Sequence, residues 1–250
     1  MIAAMVSTMI ASMIVRPQPR PEAELRLFCF HHAGGGAAFF APWAAALPHH
    51  IELVAIRLPG RESAFAQPRF TSVERGSEVV ASAMLPWLDR PFALFGHSLG
   101  ALVAYRTALA LADREDKRAR HLFCSGFRAP HLPRSRMLAA LPDADLVSEL
   151  KGFGGIPDAV AEHQELLDLM IPLFRDDLRL AEDYVHDGAA PLATPITAMA
   201  GEADDLVPRH EVEGWESHTS GLFRLITYPG SHFFPVEQQA RVITDIAKVV

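Results

Sequence analysis

Short runs of consecutive apolar residues alternate along this chain with longer segments in which apolar residues recur every three or four positions. Runs of the first kind indicate buried strands, and segments of the second kind indicate amphipathic helices. The predicted strands are Leu25–Phe30, Ile51–Ile56, the run that begins at Phe92, 121–125, 195–200 and 222–228. The predicted helices are 38–47, 71–88, the stretch after Gly100, a helix that contains Trp215, and about 236–249. Strands alternating with helices predict an α/β fold with a mostly parallel sheet flanked by helices.

The strand pattern disappears between residues 131 and 191, where helical periodicity takes over. Segments 143–151 and 161–184 carry apolar residues at three- and four-residue steps, and we expect Pro172 to split the second one because proline lacks the N–H that a helix interior needs. A helical insertion between two strands of an α/β sheet predicts a lid over the site, at about 131–191.

The N-terminal segment has a composition of its own. Residues 1–15 carry no charge and repeat methionine at every fourth position, yet they are too short to span a bilayer and lack the basic start of a signal peptide. Residues 16–24 contain three prolines and predict an extended linker. We therefore treat 1–24 as an apolar extension with a linker, assign 25–250 to one domain, and expect the protein in the cytoplasm.

Charge and cysteine content exclude several classes of function. The 250 residues include 23 Lys and Arg against 30 Asp and Glu, a net charge of −7, so the overall field attracts neither nucleic acid nor an anionic membrane. Cys29 and Cys124 both fall in predicted strands, where we expect buried, small apolar side chains rather than redox or metal sites. The mixed charges of 113–118 predict a solvated loop without a binding site.

The candidate chemistry is centred on Gly96-His97-Ser98-Leu99-Gly100, which lies between a predicted strand and a predicted helix. A Gly-x-Ser-x-Gly sequence in that setting is typical of a sharp strand-to-helix turn that exposes a nucleophilic serine above the sheet. The turn needs glycines because a side chain at either flank would collide with the neighbouring backbone. Ser98 is therefore our candidate nucleophile, and the alternative is an ordinary serine in a turn.

A serine nucleophile needs a base and an acid, which in this architecture follow it in the order Ser, Asp or Glu, His. Asp204 follows the predicted strand 195–200 and is our candidate acid, with Asp205 as its competitor. His232 lies on a glycine-containing loop after the last predicted strand and is our candidate base. His210 and His218 are poorer candidates because they lie in the preceding helical region.

The glycine-rich loop after the first predicted strand, 31–36, is a candidate oxyanion site. It lacks the spacing and the Lys-Ser/Thr ending of a phosphate-binding Walker loop. Glycines there would let the backbone approach a substrate, so we assign the oxyanion donors to the backbone N–H groups of Ala33 and of Leu99, the residue after the nucleophile. His31 and His32 are adjacent, but no Cys, Asp or Glu lies near them in sequence, which favours packing or loop hydrogen bonding over a metal site.

These motifs resemble a known family, and they do so in family order from residue 25 to the C-terminus. The chain resembles the type II thioesterases, stand-alone α/β-hydrolases that serve polyketide and non-ribosomal peptide synthases. Beside the serine motif, the matching stretches are 32–35, Leu-Pro-Gly-Arg-Glu at 58–62, Ser-Gly-Phe-Arg-Ala-Pro at 125–130, 191–196, 201–207 and 229–234. His31, Ser231 and the apolar N-terminal extension depart from the family pattern, but none of them is a candidate triad position.

The resemblance implies a function and a partner. It implies hydrolysis of acyl thioesters carried on the phosphopantetheine arm of acyl or peptidyl carrier proteins, without a metal or an organic cofactor. Independently of the resemblance, Leu166, Met170 and Phe174 are apolar residues of the predicted lid and are candidates to line an acyl pocket. These three side chains would otherwise only seat the lid on the core. Such carriers are commonly acidic, so Arg128, Arg134 and Arg136 are candidates for docking them. We expect a monomer with no nucleic-acid or membrane partner.

Three other functions stay open at this point. A general carboxylesterase or lipase would use the same triad on oxygen esters. A product-releasing thioesterase would use it to terminate or cyclise a finished chain. A non-catalytic α/β-hydrolase would bind a ligand instead, but such proteins usually lose a triad residue, and Ser98, Asp204 and His232 are all present.

Overall fold

The computed structural model describes residues 9–114, 117–134, 136–156 and 158–250. The first eight residues of the apolar N-terminal segment lie outside the described residues. Glu115 and Asp116 of the predicted mixed-charge loop also lie outside them, as do Ser135 and Pro157 within the predicted lid.

Within the described residues, seven strands form one sheet in the order β1-β3-β2-β4-β5-β6-β7. Strand β1 pairs antiparallel with β3, and every other pairing is parallel. Every residue of β2, β3 and β4 is buried, which is why these strands are continuous apolar runs: helices cover a parallel sheet on both faces. The strands are β1 Ile14–Val15, β2 Leu25–Phe30, β3 Ile51–Ile56, β4 Phe92–His97, β5 Leu122–Ser125, β6 Ile196–Gly201 and β7 Phe223–Tyr228.

Helices connect these strands as the periodicity predicts. Helix α3 follows β4 directly, and the described residues between β5 and β6 form three helices, α4 to α6. The helices are α1 Ala41–Ala46, α2 Val73–Met84, α3 Leu99–Ala112, α4 Asp143–Gly152, α5 Asp158–Ala161, α6 Gln164–Asp183, α7 Arg209–Glu213, α8 Phe234–Glu237 and α9 Gln239–Ala247. The alternation of strand and helix confirms the predicted fold class.

The N-terminal segment departs from the prediction, because part of it belongs to the sheet. Ile14–Val15 pairs with the outer edge of β3. Behind this strand, the fully buried carboxylate of Glu52 accepts hydrogen bonds from Arg16 Nε at 2.6 Å, Arg26 Nε at 2.9 Å and the backbone N–H of Arg20 at 3.1 Å. A buried carboxylate requires such partners, and two of them come from the supposed linker, which ties this segment to the domain.

The prediction that Pro172 splits its helix is wrong, since α6 runs unbroken through it. Pro172 lies on the exposed side of the helix. The opposite face is amphipathic and buries residues both before and after the proline, including Leu167 and Leu180. Packing of this face on the rest of the fold outweighs the cost of one lost backbone hydrogen bond.

Parallel pairing brings the ends of β2, β4, β5, β6 and β7 to one edge of the sheet. Loops at the carboxyl edge of such a sheet are where α/β proteins place their sites. Each predicted triad residue and oxyanion donor follows one of these strands, so the topology brings residues far apart in sequence to the same edge. In the parts of the chain that the structure describes, no helix is both long enough and apolar enough to cross a membrane.

Candidate active site

Ser98 occupies a strained turn between β4 and α3. Its backbone has φ 54° and ψ −126°, a left-handed region that non-glycine residues rarely adopt. The N–H of Ser98 donates to the carbonyl of Ser125 at 2.8 Å, and its own carbonyl accepts from Ala101 at 2.8 Å. The surrounding hydrogen bonds therefore hold the serine in the conformation that a nucleophilic turn requires.

The two glycines of this turn are required for the reason that the sequence suggested. A Cβ atom on Gly96 would lie 2.1 Å from the carbonyl oxygen of Gly100. A Cβ atom on Gly100 would lie 2.2 Å from the carbonyl oxygen of Phe30 at the end of β2. The start of α3 therefore packs directly against the start of the glycine-rich loop, and the two predicted oxyanion donors are brought together.

The structure pairs His232 with Asp204 and not with Asp205. His232 Nδ1 lies 2.8 Å from Asp204 Oδ2, and both side chains are buried. Asp204 Oδ1 accepts from the backbone N–H groups of Leu206 and Val207, each at 3.0 Å, which fixes the orientation of the carboxylate. Asp205 is exposed. An ionised Asp204 makes Nδ1 the protonated nitrogen of His232 and leaves Nε2 free to accept a proton.

The two rejected histidines lie elsewhere. His210 is exposed on α7. His218 is buried away from the serine, where its ring nitrogens lie 3.1 Å from Tyr105 Oη and 2.8 Å from His131 Nδ1. Neither is a rival base.

His97, the residue before Ser98, supports His232 and was not singled out from the sequence. Its ring lies 5.0 Å from that of His232, and its Nδ1 lies 3.0 Å from Ser125 Oγ. Gly126, with φ +58°, leaves room for the ring of His97, because a Cβ there would lie 2.7 Å from His97 Cε1. The Ser125-Gly126 pair of the family motif was the signal for this support.

His31 and His32 pack and hydrogen-bond within the loop, as the sequence suggested. His31 Nδ1 lies 2.8 Å from the carbonyl of His32, and His31 Nε2 accepts from the N–H of Leu58 at 3.4 Å. The ring of His32 makes edge contacts with Phe39 and Phe233. Desolvation is the main cause that lowers the pKa of His32 to about 3, and the neighbouring His232 and Arg61 lower it further. His32 is therefore neutral around pH 7.

His32 predicts a pH dependence of stability. An unfolded histidine takes up a proton near pH 6.5, but folded His32 does so only near pH 3. Between these values the unfolded state binds the extra proton, so the free energy of unfolding falls as pH falls, by up to about 1.4 kcal/mol per pH unit for this residue. We expect His32→Met to make the slope shallower by about that amount in urea titrations from pH 4 to 7. An unchanged slope, or the same change in the exposed control His49→Met, would contradict this prediction.

Ala33 and Leu99 both line a cavity at Ser98. Leu99 is the first residue of α3, so its N–H has no acceptor within the helix and lies at the positive end of the helix dipole. An anion that forms next to Ser98 would be stabilised by that end of the helix. Both residues therefore lie at the same cavity as Ser98, and their role as oxyanion donors stays a prediction.

The cavity at Ser98 has a volume of about 80 Å³ and is partly apolar. It is lined by Ala33, Ser98, Leu99, Phe127, Arg128, Arg134, Arg136, Leu138, Leu178, Ala181, Glu182, Leu206, Val207 and Glu211. A second cavity of about 360 Å³ lies at His232, and Arg136 and Leu206 line both. Ser98 and His232 thus open onto adjoining spaces beneath the helical insertion.

The predicted acyl-pocket residues do not line the cavity at Ser98. Leu166 is 43% exposed, while Met170 and Phe174 pack in an apolar cluster with α4. In the described part of α6, Leu178 and Ala181 line the cavity instead. The first half of α6 packs on α4, and only its second half passes over the serine, so the acyl-pocket role of these three residues stays a prediction.

The three predicted docking arginines lie at this cavity. Arg128, Arg134 and Arg136 all contribute to its lining. Arg136 forms an ion pair with Glu149 at 2.6 Å, and the guanidinium of Arg128 lies 5.1 Å from the centre of the Phe127 ring. Three arginines therefore line the site beside two acidic residues, Glu182 and Glu211, on a protein whose net charge is −7.

The chain is similar to known thioesterases in both sequence and structure. A Thioesterase domain model matches residues 25–250. The thioesterase PikA5 of Streptomyces venezuelae is 38% identical over 235 residues, which cover 94% of this chain and 84% of PikA5. The structure of RedJ, a thioesterase of the prodiginine pathway in Streptomyces coelicolor, superposes with a TM-score of 0.88 at 36% identity and covers 94% and 89% of the two chains. The structure of YbtT, a type II thioesterase of the yersiniabactin pathway, gives 0.86 at 30% identity, covering 94% and 97%.

Proposed function

The chain belongs to the thioesterase family, and on that premise we propose that Ser98, His232 and Asp204 are its catalytic triad. The protein is a thioester hydrolase with the α/β-hydrolase fold, a type II thioesterase of polyketide and non-ribosomal peptide biosynthesis. The observation that carries the proposed triad is the buried 2.8 Å contact between His232 and Asp204, next to the strained turn at Ser98.

The first half of the proposed reaction forms an acyl-enzyme. His232 Nε2 takes the proton of Ser98 Oγ, and this oxygen attacks the carbonyl carbon of an acyl thioester. The carbonyl oxygen becomes an oxyanion, which accepts hydrogen bonds from the N–H groups of Ala33 and Leu99, each worth about 3 kcal/mol in such sites. The C–S bond then breaks, and His232 returns the proton to the departing thiolate.

The second half hydrolyses the acyl-enzyme. His232 takes a proton from water, the resulting hydroxide attacks the ester carbon, and the same two N–H groups stabilise the second oxyanion. Collapse of this intermediate releases a carboxylic acid, and His232 reprotonates Ser98. Asp204 holds the imidazole in one tautomer through both halves and stabilises the imidazolium.

The small cavity supports a lid role for the helices between β5 and β6. Ligand pockets usually measure roughly 300–1,000 Å³, whereas the space at Ser98 measures about 80 Å³. Leu178 and Ala181 of α6 form part of its wall. We propose that this insertion moves aside to admit an acyl chain, which would then contact these two residues.

The proposed substrate is an acyl group on the phosphopantetheine arm of a carrier protein, and the proposed role is to remove stalled or mis-primed groups. Support comes from Arg128, Arg134 and Arg136, which give a local attraction for an acidic carrier. We expect Arg134→Glu with Arg136→Glu to raise KM several-fold for carrier-bound substrates and to spare small acyl thioesters. The reason is that only a carrier protein would dock on these arginines.

Steady-state kinetics on both substrate types measures this effect. The matched control is Arg224→Glu with Arg241→Glu, which changes the net charge equally at exposed positions on β7 and α9. Equal changes in KM for both substrate types, or an equal effect of the control, would reject docking by these arginines.

The proposed function is tested with a panel of acyl groups, each presented on a holo carrier protein and as the matching simple oxygen ester, with Ser98→Ala as the control. Faster release from the carrier that disappears in the control is the expected result. Preference for the oxygen ester would identify a carboxylesterase. Absence of any Ser98-dependent turnover would overturn the proposal and leave a binding protein.

A further inference from the structure

The glycine-rich loop at the active site is held by a buried ion pair that reaches it from the helical insertion. We propose that Arg61 and Asp177 are positioning residues that set the oxyanion loop, so that the N–H of Ala33 is aimed at the reacting carbonyl only while α6 is in place. This inference rests on the proposed function, because it concerns the proposed oxyanion donor.

The contacts form a closed network around the loop. Asp177 Oδ2 accepts from the N–H of Gly34 at 2.8 Å. Arg61 donates to both carboxylate oxygens of Asp177 at 2.8 Å, and it also donates to the carbonyl of Gly35 at 2.9 Å. The side chains of Arg61 and Asp177 are only 4% and 2% exposed. The backbone N–H of Gly34 and the backbone carbonyl of Gly35, on the two residues after Ala33, are thus fixed by one planar, doubly hydrogen-bonded pair.

A second side chain of α6 holds the same glycine. Gly34 has φ +72°, and a Cβ on it would lie 2.1 Å from the ring of Phe174. Phe174 and Asp177 are three residues apart and therefore share one face of the helix. Phe174 packs against Gly34, and Asp177 accepts a hydrogen bond from its N–H. Helix α6 therefore fixes both the position of Gly34, the residue next to Ala33, and the direction of its N–H.

The residue after Arg61 holds the far end of the loop. Glu62 accepts from the N–H of Ala38 at 2.9 Å and from Arg57 Nε at 2.7 Å. Arg61 and Glu62 therefore hydrogen-bond to the two ends of the segment 35–38. This arrangement explains what the Arg-Glu ending of the 58–62 motif does in this chain.

The pair also links the lid to the chemistry. Arg61 lies on the body of the domain and Asp177 on the inserted helix, so displacement of α6 would remove the acceptor of the Gly34 N–H. A buried arginine without its carboxylate is unfavourable, which favours return to the closed arrangement. We expect the oxyanion site to be complete only when the helix is closed over the substrate.

The test compares Asp177→Asn and Arg61→Lys with Asp176→Asn. Asp176 accepts from Arg69 on the body at 2.6 Å, so its variant breaks a neighbouring ion pair of the same helix without touching the loop. Each variant is characterised by melting temperature, by the fraction of folded protein, and by kcat and KM on a short acyl thioester. The rate at which a fluorophosphonate labels Ser98 is also measured for each variant. In this reaction an Oγ–P bond forms as fluoride leaves, and the phosphoryl oxygen takes the place of the oxyanion.

We expect Asp177→Asn to lower kcat and the labelling rate of folded enzyme by roughly tenfold or more, with KM little changed. Complete loss of one oxyanion donor costs about 10²-fold to 10³-fold, and this variant misplaces the donor without removing it. Arg61→Lys should show a smaller loss, and Asp176→Asn should stay within about twofold of the parent. Equal losses in Asp176→Asn and Asp177→Asn, or parental rates per folded molecule in Asp177→Asn, would overturn the inference.

The labelling rate separates this inference from the proposed function. A parent that is labelled at Ser98 but hydrolyses no thioester would refute the proposed function, and the labelling rates would still decide the role of the pair. A parent that is not labelled at all would refute both, since no working oxyanion site would then exist.

Discussion

Replacing Ser98 by alanine is expected to lower kcat on acyl thioesters by a factor on the order of 10⁶, the loss that follows when a serine triad loses its nucleophile. The residual rate would come from substrate binding and from the N–H groups of Ala33 and Leu99, which the substitution leaves in place. The fold should be unaffected, because the backbone of Ser98 is held by its hydrogen bonds to Ser125 and Ala101.

The same reasoning predicts the effect of replacing His232, alone and together with Ser98. Members of a triad act as one unit, so His232→Ala alone and the double variant Ser98→Ala with His232→Ala should each cost about as much as Ser98→Ala. Single-turnover and steady-state rates of the three variants measure this. Multiplicative losses, with the double variant far below either single one, would show that His232 does not serve Ser98 as its base.

Replacing Asp204 by asparagine is expected to lower kcat by about 10⁴-fold with little change in overall structure. The carboxylate of Asp204 accepts from His232 Nδ1 at 2.8 Å and from two backbone N–H groups at 3.0 Å. An amide oxygen can keep the backbone contacts, but the amide nitrogen then faces Nδ1 and favours the tautomer with its proton on Nε2. His232 would then be unable to take the proton of Ser98.

Asp205→Asn is the matched control for this variant. Asp205 is adjacent in sequence and lines the cavity at His232, but it is exposed and does not hold the imidazole. We expect its kcat to stay within about threefold of the parent. If the two variants lost activity to the same extent, the loss would come from the net charge near His232 and not from orientation of the ring.

Most of the proposed catalytic constellation was predictable from the sequence, for a physical reason. Buried parallel strands are continuous apolar runs, so each strand and the loop that follows it are visible in the sequence, and the chemistry of α/β proteins lies in those loops. Ser98, Asp204 and His232 each follow such a run. The glycines at positions 96 and 100 were equally visible, because close backbone approach excludes any Cβ there.

The helical insertion was less predictable, because amphipathic periodicity shows which face of a helix is buried but not what covers it. Phe174 was chosen for the acyl pocket and proved to pack on Gly34, whereas Leu178 and Ala181, further along the same helix, line the cavity. Pro172 indicated a break that packing on both sides of it prevents. The short strand Ile14–Val15 was missed because two residues carry no period.

The sequence by itself determined the fold class, the order of the chemical groups and the glycines on which the nucleophile turn depends, since these follow from local burial and backbone sterics. Only the tertiary structure decided that Asp204 and not Asp205 faces His232, that His97 lies against that ring, and that Arg61 meets Asp177 at the oxyanion loop. Those contacts join residues that are 28 to 135 positions apart. No local pattern encodes such a contact, because it depends on where the sheet and the inserted helix bring the two chain segments together.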